Sequence, residues 1–291
     1  MEGILLSGIG GLYTVLCDGV QYKLRAQAKI RRRRLTPLPG DRVLFTPGHA
    51  DEDGWLEELM PRKNCFVRPA AANLDVICLC VSAAAPQADL LLLDRMLLQC
   101  AMNGVESVIV ITKCDADEGF CAQARAQYEM CGARVVAVSA ADGTGVEALK
   151  AILKGRIHAM AGQSGVGKSS LLNALYGLRQ ETGSLSQRID RGRNTTRHSA
   201  LIPLEDGGMA LDTPGFSLFD LEVMDPLELT RHTPEFVPYE GRCRFSPCTH
   251  RKEPGCAVLA DVDLGLLPRE RWMRYCTLFD DMDIKWRNRY D

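Results

Sequence analysis

The chain has 291 residues, 46% of them hydrophobic and 25% charged, with a formal net charge of −2. That length supports two or three compact domains rather than one, and the composition is that of an ordinary folded protein, which excludes dominant disorder. Near-neutrality excludes a global attraction to nucleic acid, so RNA contact would rest on local clusters such as Arg31–Arg34 and the group Arg188, Arg191, Arg193 and Arg197.

No stretch reaches the roughly 18 apolar residues of a membrane span, and no charged-then-apolar leader opens the sequence, so a cytoplasmic protein without membrane contact is expected. Residues 1–67 carry short alternating apolar runs broken by Gly, Pro and Asp, which predicts a small all-β domain. From Leu74 the texture changes to strand-like runs alternating with helical ones, as in a parallel sheet covered by helices. Strands are predicted at Leu74–Val81, Val105–Ile111, Arg134–Val138 and Ile157–Met160, with an amphipathic helix over Asp89–Met102 closed by Gly104. This second domain is taken as residues 68–221. Residues 222–291 form a third, with Pro-rich loops, a Cys/His cluster and a charged helical segment from Pro268. In open parallel sheets ligands sit at the strand ends, so the loops there are the places to search.

One such loop is Gly162-Gln163-Ser164-Gly165-Val166-Gly167-Lys168-Ser169, between the strand Ile157–Met160 and a helix expected over Ser169–Tyr176 that opens with Ser169-Ser170. This is the setting that the phosphate-binding pattern Gly-x4-Gly-Lys-Ser/Thr requires. Its glycines let backbone N–H groups turn toward phosphate oxygens, and the helix N-terminus adds its positive dipole end. Lys168 would reach the β- and γ-phosphates, while the Ser169 hydroxyl would bind Mg²⁺. Asp212-Thr213-Pro214-Gly215 follows the apolar segment Met209–Leu211. Asp212 would hold the same ion through water, and the Gly215 N–H would sense the γ-phosphate.

Thr112-Lys113-Cys114-Asp115 ends the strand Val105–Ile111 and has the form of a guanine-reading element. A carboxylate at Asp115 can accept from guanine N1–H and the 2-amino group, whereas adenine presents an acceptor at N1 and no 2-amino group. Lys113 would lie along the base, and Ser139-Ala140 would support the guanine carbonyl through backbone N–H. Thr112 stands where Asn is commoner, which weakens a tether to the phosphate loop without touching base choice. The motif order is circularly permuted, since the base-reading element precedes the phosphate loop. Permutation leaves a packed site intact while relocating the chain ends.

Cys243-x4-Cys248-x-His250-x5-Cys256 offers three thiolates and one imidazole, enough for a closed, structural tetrahedral zinc site. The segment is poor in apolar residues, so it needs a metal or crosslink to fold. The other nine cysteines sit in apolar or helical contexts and are read as reduced.

Together with Arg68–Asp75, Leu93-Asp94-Arg95, Gly192-Arg193-Asn194-Thr195-Thr196 and Phe216 after Gly215, these motifs make the chain resemble the small-subunit-dependent GTPase family of RsgA type. The resemblance spans nearly the whole chain. It implies an N-terminal OB-fold, a permuted P-loop GTPase domain, a zinc-binding, mainly helical C-terminal domain, and a role late in maturation of the small ribosomal subunit. It also implies contact with rRNA, in which Arg31–Arg34 would meet the backbone electrostatically. Asn194 occupies a position where the family often has His with a part in hydrolysis, and His198 is a nearby alternative. Thr195 or Thr196 would complete the Mg²⁺ shell, with Thr196 favoured. Phe216 replaces a water-positioning amide, so slow intrinsic hydrolysis raised by the subunit is expected from a monomer binding GTP and GDP. Two other functions stay open: a GTP-dependent RNA-docking switch with negligible hydrolysis, and an ATP-using enzyme of the kinase class for which Lys113 and Asp115 are incidental.

Overall fold

The computed structural model describes residues 1–27, 30, 35–49, 52–67, 69–129, 133–177, 199–212 and 223–289. The strands are β1 Glu2–Ile9, β2 Leu12–Cys17, β3 Val20–Ala26, β4 Arg42–Thr46, β5 Gly54–Leu59, β6 Cys65–Val67, β7 Ala70–Ala72 and β8 Val76–Ser82. There follow α1 Leu90–Met102, β9 Glu106–Thr112, α2 Glu118–Tyr128, β10 Arg134–Val138, α3 Val146–Leu153, β11 Ile157–Ala161, α4 Lys168–Tyr176, β12 Ala200–Pro203 and β13 Met209–Asp212. Two 3-10 turns, Pro226–Thr230 and Pro234–Tyr239, precede α5 Ala257–Asp263 and α6 Arg269–Arg287. Contacts divide the chain into two compact units, one of Met1–Cys78, Val146–Ala161 and Lys168–Leu218, the other of Leu79–Gly145, Gly162–Gly167 and Phe219–Asp291.

In the first unit β1 to β5 close a barrel in the order β1-β2-β3-β5-β4, the topology of an OB-fold. Asp18 and Gly19 join β2 to β3 with φ of +50° and +79°, and two positive φ angles give a hairpin turn whose twist matches the strands. Every second residue points inward, so Leu5, Val15, Leu24, Val43 and Leu56 have no exposed surface. Asp41, also fully buried, accepts from Arg62 Nε and Nη2 at 2.7 and 2.8 Å and from the Leu38 N–H at 2.8 Å. A buried carboxylate requires such a set of donors.

A six-stranded sheet has the order β10-β9-β8-β11-β13-β12. β9 and β10 pair in parallel, as do β11 and β13, while β12 lies antiparallel to β13 at the edge. Every residue of β8 is buried, which explains its unbroken apolar run. β8 starts two residues later than the sequence predicts because Leu74 is engaged elsewhere: its N–H and C=O bond to the Asn64 side chain at 2.9 and 2.8 Å.

The C-terminal part of the second unit is mainly helical. Leu229, Phe236, Tyr239, Val258, Tyr275, Leu278, Phe279 and Met282 form its core with Leu98 of α1. The cysteine segment is therefore less bare than its own composition suggests, since its apolar partners come from the 3-10 turns before it and from α6. Among the described residues no helix is long and apolar enough to cross a membrane.

Candidate functional site

In the second unit Gly162–Gly167, the expected phosphate loop, and Thr112–Asp115, the expected base reader, meet. The Thr112 hydroxyl, on a residue only 4% exposed, donates to the Val166 carbonyl at 2.5 Å. Lys113, in the left-handed region at φ +55°, donates from Nζ to the carbonyls of Ala85 and Gly165, the latter at 3.1 Å. The ammonium thus staples the loop after β8 to the phosphate loop while its stem crosses the space between. The tether expected to be weak at Thr112 is made by its hydroxyl. Nothing in the linear pattern marked Ala85 as the second partner.

Gly162 has φ +142°, and a Cβ there would stand 2.3 Å from the Cys80 carbonyl oxygen, so only glycine fits. Gln163 is half-buried and accepts from the Asp89 N–H at 3.2 Å. Ser164 and Gly165 are exposed, whereas Val166 is fully buried and anchors the loop to the core. Asp115 is exposed at the tip of its loop, free to meet a planar ligand. Ser139 is fully buried, and its Oγ accepts from the N–H groups of Ala141 and Asp142 at 3.3 and 3.4 Å, which shapes the turn and leaves Ala140 exposed. Asp142 accepts from the Thr144 N–H at 2.8 Å, and that bond chiefly lowers its carboxyl pKa.

In the first unit Lys168 opens α4, followed by the exposed Ser169 and Ser170. Leu171 and Leu175 bury the opposite side of the helix. Asp212 ends β13, and burial raises its carboxyl pKa, a cost that a bound cation would offset. A carboxylate and a hydroxyl are the hard oxygen donors that magnesium takes. His158, unremarked in the sequence, is fully buried on β11. Its Nδ1 lies 3.2 Å from the Arg156 carbonyl and its Nε2 3.1 Å from the Tyr176 hydroxyl. A carbonyl only accepts, so Nδ1 carries a proton, and burial, which lowers the pKa, favours the neutral ring whose Nε2 accepts from Tyr176. Arg31–Arg34, Arg68, Arg188–Arg197, Asn194, Thr195, Thr196, His198, Gly215 and Phe216 lie outside the described residues.

Cys243, Cys248, His250 and Cys256 bring four ligand atoms within 4.8 Å of one another. Cys243 Sγ and Cys256 Sγ each lie about as far from His250 Nδ1, at 3.5 and 3.4 Å, and 4.0 Å from each other. A tetrahedron with metal bonds of about 2.0–2.3 Å has edges of roughly 3.5–3.8 Å, so the cluster fits a metal ion. The sulfurs are too far apart for disulfides. Burial pushes the Cys248 thiol up to about 12, a state that a cation would reverse by holding the thiolate. Outside the ligands, Trp272 Nε1 donates to the His250 carbonyl at 2.8 Å, and the Ala257 N–H donates to Cys243 Sγ at 3.4 Å. Such outer contacts orient the ligands.

The chain matches the RsgA GTPase family over residues 59–222 and the RsgA N-terminal domain over residues 2–56. It belongs to the RsgA GTPase family. As a member it is a GTP-hydrolysing enzyme, and the permuted motif order is part of that fold. It is 43% identical over 289 residues to a Moorella thermoacetica protein named small ribosomal subunit biogenesis GTPase RsgA, covering 99% of each chain. A Ruminiclostridium cellulolyticum protein of the same name is 40% identical, over 95% of this chain and 92% of that one. The crystal structure of YjeQ from Thermotoga maritima has a TM-score of 0.82 at 34% identity, over 97% of this chain and 98% of that one. YloQ, described as a circularly permuted GTPase, has a TM-score of 0.81 at 30% identity, over 98% and 95%.

Proposed function

We propose that this GTPase binds the small ribosomal subunit and assists its late maturation, hydrolysing GTP to GDP and phosphate at a rate the subunit raises. The names of its relatives support the subunit as partner. The observation that carries the nucleotide assignment is the pair of hydrogen bonds from Thr112 to the Val166 carbonyl and from Lys113 to the Gly165 carbonyl, which would hold a guanine reader against a phosphate loop.

In this account Asp115 accepts from guanine N1–H and the 2-amino group, Lys113 lies along the base, and Ala140 supports the carbonyl. Backbone N–H groups of Gly162–Gly167 face phosphate oxygens, and the Lys168 ammonium meets charge that builds up between the β- and γ-phosphates. Ser169, Asp212 and Thr196 would hold Mg²⁺, which when bound neutralises the same oxygens. Gly215 senses the γ-phosphate, and Asn194 or His198 orients water. A zinc ion in the Cys243–Cys256 cluster has a structural part, because all four positions are filled by protein. Arg31–Arg34 meets the rRNA backbone. The protein works as a cytoplasmic monomer.

Turnover separates a stimulated GTPase from a docking switch. GTP hydrolysis measured with and without purified small subunits is expected to be slow alone and to rise about 10³-fold or more with the subunit, the scale of a stabilising group supplied in trans. The second reading, a docking switch with negligible hydrolysis, draws on Asn194, which cannot take a proton at neutral pH, and on Phe216. Nucleotide-dependent subunit binding without stimulated turnover would favour it.

A further inference from the structure

Helix α1 touches the phosphate loop at its start and α6 along its side, all within the second unit. Its N-cap, Asp89, donates a backbone N–H to Gln163 Oε1 at 3.2 Å and accepts with its carboxylate from the Leu92 N–H at 2.8 Å. Farther along, the buried Asp94 accepts from Arg271, from Arg274 Nε at 2.6 Å and from the Tyr128 hydroxyl at 2.7 Å. Glu235 lies 2.6 Å from Arg271 Nε, so two carboxylates and two guanidiniums share one enclosed cluster. From the same helix, Trp272 and Tyr275 donate to the carbonyls of His250 and Thr249, each at 2.8 Å.

We propose that Gln163 is a positioning residue through which an occupied phosphate loop sets the seat of the Cys/His module, by way of α1 and the Asp94–Arg271–Arg274 cluster. This rests on the assignment of Gly162–Gly167 to phosphate. Phosphate oxygens that gather the loop's N–H groups narrow the positions open to Gln163 and hence to the start of α1. A helix transmits such a displacement along its length. The charge cluster cannot absorb it by slipping, because parting Asp94 from its guanidiniums would leave a charge buried and unpaired. Trp272 and Tyr275 then carry it to the backbone of the metal-binding turn. Coupling of this kind is reciprocal, so nucleotide must also change how firmly the module keeps its metal.

The test uses the full-length, zinc-loaded chain with Trp55→Phe and Trp286→Phe, leaving Trp272 as the reporter. GDP and a non-hydrolysable GTP analogue are titrated while a fluorescent nucleotide reports occupancy. Trp272 emission is expected to change with occupancy, and zinc affinity, read by equilibrium competition with a chromogenic chelator, to rise about fivefold, the lower end of ordinary allosteric coupling. Gln163→Met, which keeps length but loses the acceptor, is expected to abolish both responses at saturating nucleotide. Arg274→Lys, which keeps the charge but loses the fork, should do the same with less risk to folding than Asp94→Asn. Nucleotide that binds with Trp272 emission and zinc affinity unchanged overturns the inference and leaves the phosphate assignment standing. Responses that persist in Gln163→Met overturn the route. Failure of any nucleotide to bind overturns the phosphate assignment and the inference with it.

Discussion

Replacing Thr112 by Val removes one hydrogen atom's worth of function from the join between base reader and phosphate loop. The shape is nearly kept, but the hydroxyl that donates to Val166 at 2.5 Å, and lies 3.2 Å from the Val81 carbonyl, is gone. A buried neutral hydrogen bond contributes about 1 kcal/mol net, and leaving its carbonyl unsatisfied costs about 1–3 kcal/mol. The added methyl recovers part of this, so a loss of about 1.5–2 kcal/mol is expected. If it falls on the placement of the loop in the bound state, GDP affinity drops about ten- to thirtyfold. If it falls on folding instead, Tm drops by about 3–8 °C at the scale of a domain of this kind. Fluorescent-GDP titration and thermal denaturation together locate the loss, with Thr112→Ser as the control that keeps the donor. A Thr112→Val protein with GDP affinity and Tm both unchanged would refute the reasoning.

Two further predictions concern buried groups elsewhere. Burial is the main cause holding the His158 pKa below its ordinary value, only partly opposed by the Arg156 carbonyl and Asp206. The unfolded chain therefore takes the proton first: stability is full above about pH 6.5 and falls as pH drops from there toward the folded pKa. Urea unfolding between pH 8 and 5 should show this slope and should lose part of it in His158→Gln; identical slopes would contradict the assignment. Stripping the metal, or Cys256→Ser, should abolish the near-ultraviolet dichroism of Trp272 and Tyr275, which clasp the metal-binding turn, while the barrel keeps its strand signal. Unchanged aromatic dichroism after metal removal would show that the turn folds without the ion.

The sequence disclosed what is local and missed what is distant. Gly162–Ser169 and Cys243–Cys256 are legible because their chemistry fixes residue type at short spacing, whatever surrounds them. The strands β9 to β11 are legible from apolar runs that end in polar loops. Closure of the barrel depends on the parallel pairing of β3 with β5, which no turn signal announces. The Asp94 cluster joins residues 177 and 180 positions apart, and the Gln163 contact spans 74. In the sequence Asp94 stands in the Leu93-Asp94-Arg95 motif of an amphipathic helix, and only the fold shows that it is buried. Thr112 shows the same limit at small scale. Its departure from Asn suggests a weakened tether, yet its hydroxyl donates to the Val166 carbonyl.

The most direct test of the central claim is the base preference of Asp115→Asn. If the Asp115 carboxylate reads guanine, the wild-type chain binds GDP at least about a hundredfold more tightly than xanthosine or adenosine diphosphate. An amide there replaces an acceptor by a donor, which suits the 2-oxo group of xanthine, so the variant should lose GDP affinity and gain xanthosine diphosphate. A variant that still prefers GDP as strongly as the wild type would contradict the account.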